Sequence, residues 1–126
     1  MSSLKNDLHA MTILLIINDP PYGTEKAYNA LRLAMALQND HVDVQVRIFL
    51  MADAITCALA GQNTPQGYYN LERMLKGVLL KSEVKACGSC MDARGVKEEQ
   101  FVPGVKRSNM AELAAWTAAA GKVLVF

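Results

Sequence analysis

The run Thr12-Ile13-Leu14-Leu15-Ile16-Ile17-Asn18 constrains the fold most. It is continuously apolar, rich in β-branched residues, and broken at once by Asp19-Pro20-Pro21-Tyr22-Gly23. A strand with no polar face must be buried on both sides, as in a parallel sheet covered by helices. The segments that follow fit that demand. Thr24 reads as an N-cap, with Glu25 in the first turn and a helix to about Gln38. Val42 to Ile48 alternates as a strand with one polar face. Asp53 begins a second helix, through about Ala60. Gly61 to Gly67 reads as loop. Leu71, Met74, Leu75, Val78 and Leu79 mark one face of a further helix.

Val84-Lys85-Ala86 is a short third strand leading into Cys87, and the following short helix is stopped by Gly95. Lys97 to Arg107 is irregular, with room for a short fourth strand near Val105. Ser108 is expected to cap a helix from Asn109 to Ala120, and Lys122 to Phe126 is the last strand. Strands alternating with helices imply βαβ units with right-handed crossovers. The class is three-layer α/β with a mostly parallel sheet.

Size and charge narrow the functions open to such a chain. It has 126 residues, 52% hydrophobic and 20% charged, with a formal net charge of +1. That is one domain's length with enough apolar material for a core. Nucleic acid and anionic membrane surfaces are disfavoured as partners, because no basic run is present. No apolar stretch approaches the ~20 residues of a membrane span. Met1 to Ala10 is polar and unlike a signal peptide. Residues 1–11 are therefore expected to form a flexible leader, and residues 12–126 a single domain. Three cysteines, an odd number, point to a reducing compartment, by default the cytoplasm.

The chemistry concentrates in Cys87-Gly88-Ser89-Cys90. In a parallel sheet the loops at the carboxyl ends of the strands share one edge, where ligands bind. Asn18 to Thr24, Phe49 to Asp53, Cys87 to Cys90 and Phe126 should lie on it. Helix-start N–H groups favour a thiolate. About 1 kcal/mol of dipole stabilisation lowers a thiol by roughly 0.7 pK unit and lifts the thiolate fraction at pH 7 from ~3% to ~14%. Stronger activation needs a cation. Arg94 lies one turn after Cys90 and either faces the thiolate or favours the helix C-terminus.

The Cys-x-x-Cys spacing admits dithiol exchange, sulfur transfer, or plain packing of a strand–helix turn. A metal site is disfavoured, since only one Cys pair exists and His9 and His41 lack ligand spacing to it. No cofactor is expected. Cys57 reads as a core residue, and Tyr68 and Tyr69 as packing residues. Asp19 and Tyr22 can face the shared edge. With Gly88, Ser89, Asp92 and Arg94 they are the binding or positioning candidates, and Cys87 and Cys90 the catalytic ones. The helix Asn109–Ala120 is apolar nearly all round, with Glu112 its single charge, so its outer side is expected to meet another subunit.

Three blocks give the chain a family likeness. They are Ile17 to Glu25 continuing through Asn29 to Ala34, Ala86 to Val96, and Met110 to Leu113 through Phe126. In these the chain resembles the DsrE/DsrF-like family. The resemblance implies a three-layer α/β/α fold with a five-stranded, mainly parallel sheet. It implies homo-oligomers, commonly trimers paired into hexamers, with the cysteine loop near subunit contacts. It further implies a persulfide carried at the position of Cys87 for relay between sulfur donor and acceptor proteins. Cys90 is absent from the relay subunits of the family, so its part is that of an assisting thiol. The expectation is a sulfurtransferase-like persulfide carrier. A thiol–disulfide redox module, or a non-catalytic oligomer binding a small anion or a protein, stands beside it.

Overall fold

A computed structural model describes residues 11–126. Most of the expected leader therefore lies outside the described residues. The strands are β1 (Met11–Ile17), β2 (Val44–Leu50), β3 (Glu83–Cys87), β4 (Lys106–Ser108) and β5 (Lys122–Val125). They form one sheet in the order β4-β3-β2-β1-β5. Every neighbouring pair is parallel. The helices are α1 (Lys26–Asp40), α2 (Leu71–Leu79), α3 (Gly88–Arg94) and α4 (Met110–Ala119).

Two apolar clusters lie on the two faces of the sheet. Ile13, Leu15 and Ile17 of β1 pack with Val46, Ile48 and Leu50 of β2 against α1, α2 and Met91 of α3. Leu14 and Phe49 point the other way and meet Leu113 and Trp116 of α4, with Cys87 in the same cluster. The uninterrupted apolar run of β1 thus has its predicted cause: alternate residues feed opposite cores. The edge strand β4 has only three residues and carries Lys106 and Arg107, charges that discourage strand addition.

Several boundaries differ from the sequence reading. The second strand starts at Val44 rather than Val42, which is exposed. The polar face expected of it is partly roofed, because Arg47 lies 5.0 Å from the Trp116 ring centroid on α4. The helix expected from Asp53 is a 3₁₀ turn, Ala52–Ala58. Its Ala54, Ile55, Cys57 and Ala58 are all buried, so tertiary packing overrides helical propensity there. Thr24 Oγ1 accepts from the Lys26 N–H at 3.2 Å, but α1 starts only at Lys26, with Glu25 as its cap residue.

Asn109, not Ser108, caps α4, its side chain accepting from the Glu112 N–H at 2.9 Å. Ser108 is the last residue of β4 and its hydroxyl meets the Glu112 carboxylate instead. Only Leu113 and Trp116 of α4 are buried. Its outer alanines and Met110, together with Val123 and Val125 of β5, form an exposed apolar face in the single chain.

Candidate functional site

The parallel order brings every strand's carboxyl end to one edge, as the sequence reading required. Cys87 ends β3 and is the cap residue of α3, and Cys90 is the third residue of that helix. Gly95, at φ 64°, closes the helix in the left-handed region that favours glycine.

The two thiols differ. Cys87 is 4% exposed, under the cluster of Phe49, Leu113 and Trp116. Its Sγ lies 3.2 Å from the Ser89 hydroxyl. Burial pushes its pKa up. Hydrogen bonds from Ser89 Oγ, the Cys90 thiol and the Cys90 and Ser89 N–H groups outweigh burial and hold it below the ordinary thiol range. Cys90 is pushed the other way, first by burial, then by commitment of its proton to Cys87 and by repulsion from that thiolate. The N–H of Ala52, 3.2 Å from Cys90 Sγ, and the charge of Arg94 oppose this rise. The two thiols are thus shifted in opposite directions, Cys87 toward easier ionisation and Cys90 toward holding its proton.

Arg94 pairs with Asp53, and its charge bears on Cys90. Its Nε and Nη2 donate to Asp53 Oδ1 at 3.0 and 2.8 Å, and its Nη1 donates to the Cys90 carbonyl at 3.1 Å. A different cation, Arg107 on β4, packs over the turn. A Cβ on Gly88 would sit 2.8 Å from Arg107 Cζ and 2.8 Å from the Ser108 carbonyl oxygen. Only glycine permits that approach. Arg107 donates to both oxygens of Asp92 at 2.8 Å. Asp92 raises the Arg107 pKa most, and the Cys87 charge adds to the rise. Gly88, Ser89, Asp92, Arg107, Ser108 and Asn109 line an open cleft of about 570 Å³ beside the thiols.

Asp19 and Tyr22 stand apart from this group. They follow β1, two strands from β3, at roughly 10 Å by strand spacing. Asp19 Oδ2 accepts from Thr24 at 3.0 Å. Tyr22 Oη donates to the Tyr69 carbonyl and accepts from the Leu71 N–H, anchoring the 61–70 loop. Tyr69 stacks between Tyr22 and Tyr28, with centroids at 5.4 and 4.0 Å. Cys57 is buried and its pKa is pushed up to about 12, chiefly by burial. Among the described residues, no three His, Cys, Asp or Glu side chains are grouped to hold a metal ion. None of the described helices is long and apolar enough to cross a membrane.

Sequence reasoning missed Ala52 and Arg107. Nothing local marks either one. Ala52 sits on a stretch assigned to the shared edge, but its role depends on a backbone N–H. Arg107 lies in a stretch read as irregular.

Residues 11–126 match the model of the DsrE/DsrF-like family. The chain belongs to the DsrE/DsrF-like family. Protein YchN of Escherichia coli K12 is 41% identical over 115 residues, covering 90% of this chain and 97% of its own length. An uncharacterized protein of Methanopyrus kandleri is 37% identical over 114 residues, 90% of this chain and 93% of that protein. The crystal structure of the Escherichia coli YchN protein superposes with a TM-score of 0.85, covering 92% of this chain and 99% of that one. A Methanobacterium thermoautotrophicum protein of unknown function shares the fold at 11% identity, with a TM-score of 0.69. The α/β fold with a five-stranded parallel sheet thus matches that of the YchN structure.

Proposed function

We propose that this protein carries sulfane sulfur as a persulfide on Cys87, with Cys90 assisting, and passes it from a donor to an acceptor protein. The observation that carries the reading is the position of Cys87 at the end of β3 and the start of α3, its Sγ 3.2 Å from the Ser89 hydroxyl, with Ser89, Cys90 and two helix-start N–H groups lowering its pKa against burial. A thiolate, not a thiol, attacks a sulfur donor, and these groups favour the thiolate. The persulfide anion takes the same donors. Gly88 lets Arg107 add positive charge at the turn, while Asp92 holds that side chain in place. Intact-mass measurement after incubation with inorganic polysulfide tests the reading. Addition of one sulfur atom to wild type and to Cys90→Ser, but not to Cys87→Ser, is expected. Loading of Cys87→Ser to the wild-type level overturns it.

One observation favours a second reading, a redox module cycling a Cys87–Cys90 disulfide. Cys90 is the third residue of the short helix that Cys87 caps, so the two thiols sit at the Cys-x-x-Cys spacing that suits dithiol exchange. A pair that stays reduced at the glutathione poise would remove this reading.

We further propose homo-oligomers built on the α4–β5 face, a trimer or hexamer, in the cytoplasm. Met110, Val123 and Val125 are 60%, 37% and 67% exposed on that face in the single chain, and the outward residues of α4 are mostly alanine. Apolar faces of this kind mark contact surfaces. A stable monomer by light scattering would sink the proposal.

A further inference from the structure

Three features of Cys90 have no use if it merely assists Cys87. The first is strain. Ala52, at φ 50°, is the one non-glycine with positive φ among the described residues. L-residues adopt that backbone at a cost, and such outliers persist where surrounding structure enforces them. Here the outlier directs the Ala52 N–H to Cys90 Sγ at 3.2 Å. The second is a clamp. Asp53, the next residue, takes Arg94, whose Nη1 donates to the Cys90 carbonyl. One 3₁₀ turn thus holds Cys90 by its sulfur and, through Arg94, by its backbone. The third is access. Cys87 is 4% exposed beside Leu113 and Trp116, whereas Cys90 is half-buried and the more open of the two.

We propose that Cys90 is the exit station of the pair: sulfur loaded on Cys87 moves to Cys90, whose sulfur the Ala52 N–H supports, and leaves the protein from there. The proposal rests on the persulfide reading and adds a direction to it. The Cys90 proton first moves to the persulfide anion of Cys87, giving a neutral Cys87 persulfide and a Cys90 thiolate. That thiolate attacks the outer sulfur. A bond from Cys90 Sγ to the outer sulfur forms, and the bond from Cys87 Sγ to it breaks. The electron pair stays on Cys87 as thiolate. No atom, electron or proton is left over, and no oxidant is needed.

Chemistry and geometry agree on the direction. The more basic thiolate is the stronger nucleophile, and the less basic one leaves faster. Cys90 has the raised pKa and Cys87 the lowered one. The developing charge on Cys87 returns to the donors that remain, the Ser89 hydroxyl and the Ser89 and Cys90 N–H groups. The Ala52 N–H is in place before Cys90 ionises, as a preorganised donor should be.

The test locates the sulfur over time. Reduced protein is loaded with inorganic polysulfide, freed of excess, alkylated at intervals and digested. Fragmentation of the peptide Ala86–Arg94 then separates the two cysteines. Sulfur is expected on Cys87 first and on Cys90 later. Cys90→Ser should load but fail to deliver sulfur to reduced glutathione. Replacing Ala52 by lactic acid swaps its N–H for an ester oxygen. Migration should then slow by about tenfold, the worth of one ordinary hydrogen bond, with loading of Cys87 unchanged. If sulfur stays on Cys87 and Cys90→Ser delivers at the wild-type rate, the hand-over is wrong and the persulfide reading survives. If neither cysteine takes up sulfur, both fall.

Discussion

Gly88 and Arg107 touch where a side chain on the former cannot fit: a Cβ would lie 2.8 Å from the guanidinium carbon and equally close to the Ser108 carbonyl. The guanidinium can swing aside, but the carbonyl belongs to the β4 backbone paired with Cys87. Gly88→Ala is therefore expected to destabilise the fold by about 1–3 kcal/mol, as overpacking does. Urea unfolding measures the loss. A neutral result would mean that β4 yields freely.

The thiol pair predicts a second outcome. The Cys90 thiol is one of the donors that lower Cys87. Cys90→Ala should move the Cys87 titration upward, read from thiolate absorbance against pH. Cys90→Ser, which still offers a hydroxyl, should move it less. Identical titrations in wild type and Cys90→Ala would show that the thiols do not share a proton.

Arg94 acts on Cys90 rather than on Cys87. Its charge opposes the rise of the Cys90 pKa, and its side chain is engaged by Asp53. Arg94→Gln should raise the Cys90 titration while leaving that of Cys87 nearly in place. Its exposed ion pair contributes little, so the stability loss should stay within about 1 kcal/mol. A shift of Cys87 larger than that of Cys90 contradicts the geometry.

Cys57 gives stability a pH dependence of known sign. Its folded pKa is raised from 9.0 to about 12 by burial. Above the unfolded value the unfolded thiol ionises and the folded one does not. This contribution is fully present below about pH 9 and is lost as pH rises toward 12. At about 1.36 kcal/mol per unit, wild type should lose about 2 kcal/mol more than Cys57→Ala between pH 8.5 and 10.5. Parallel curves for the two proteins would place Cys57 outside the core.

Much of the scaffold was legible because its causes are local. The apolar run of β1, the alternation of strands and helices, and Gly95 after Arg94 each follow from neighbours in the chain. The 3₁₀ turn is not legible in the sequence because its four buried residues answer to the core, not to propensity. The face of α4 away from the sheet has the composition of a buried surface, yet none of the described residues covers it.

The Cys87–Cys90 turn was visible for the same local reason, as two thiols at a strand–helix junction. Its sequence determined that the thiols lie at a sheet edge and that a helix begins between them. Only the tertiary structure made them unequal. The Ala52 N–H and Asp53 reach Cys90 and Arg94 across 38 and 41 residues, and Arg107 reaches Asp92 across 15. Such pairings depend on strand order and on where a backbone N–H points. Hydrophobic periodicity carries neither, because it records which residues are buried and not which of them meet.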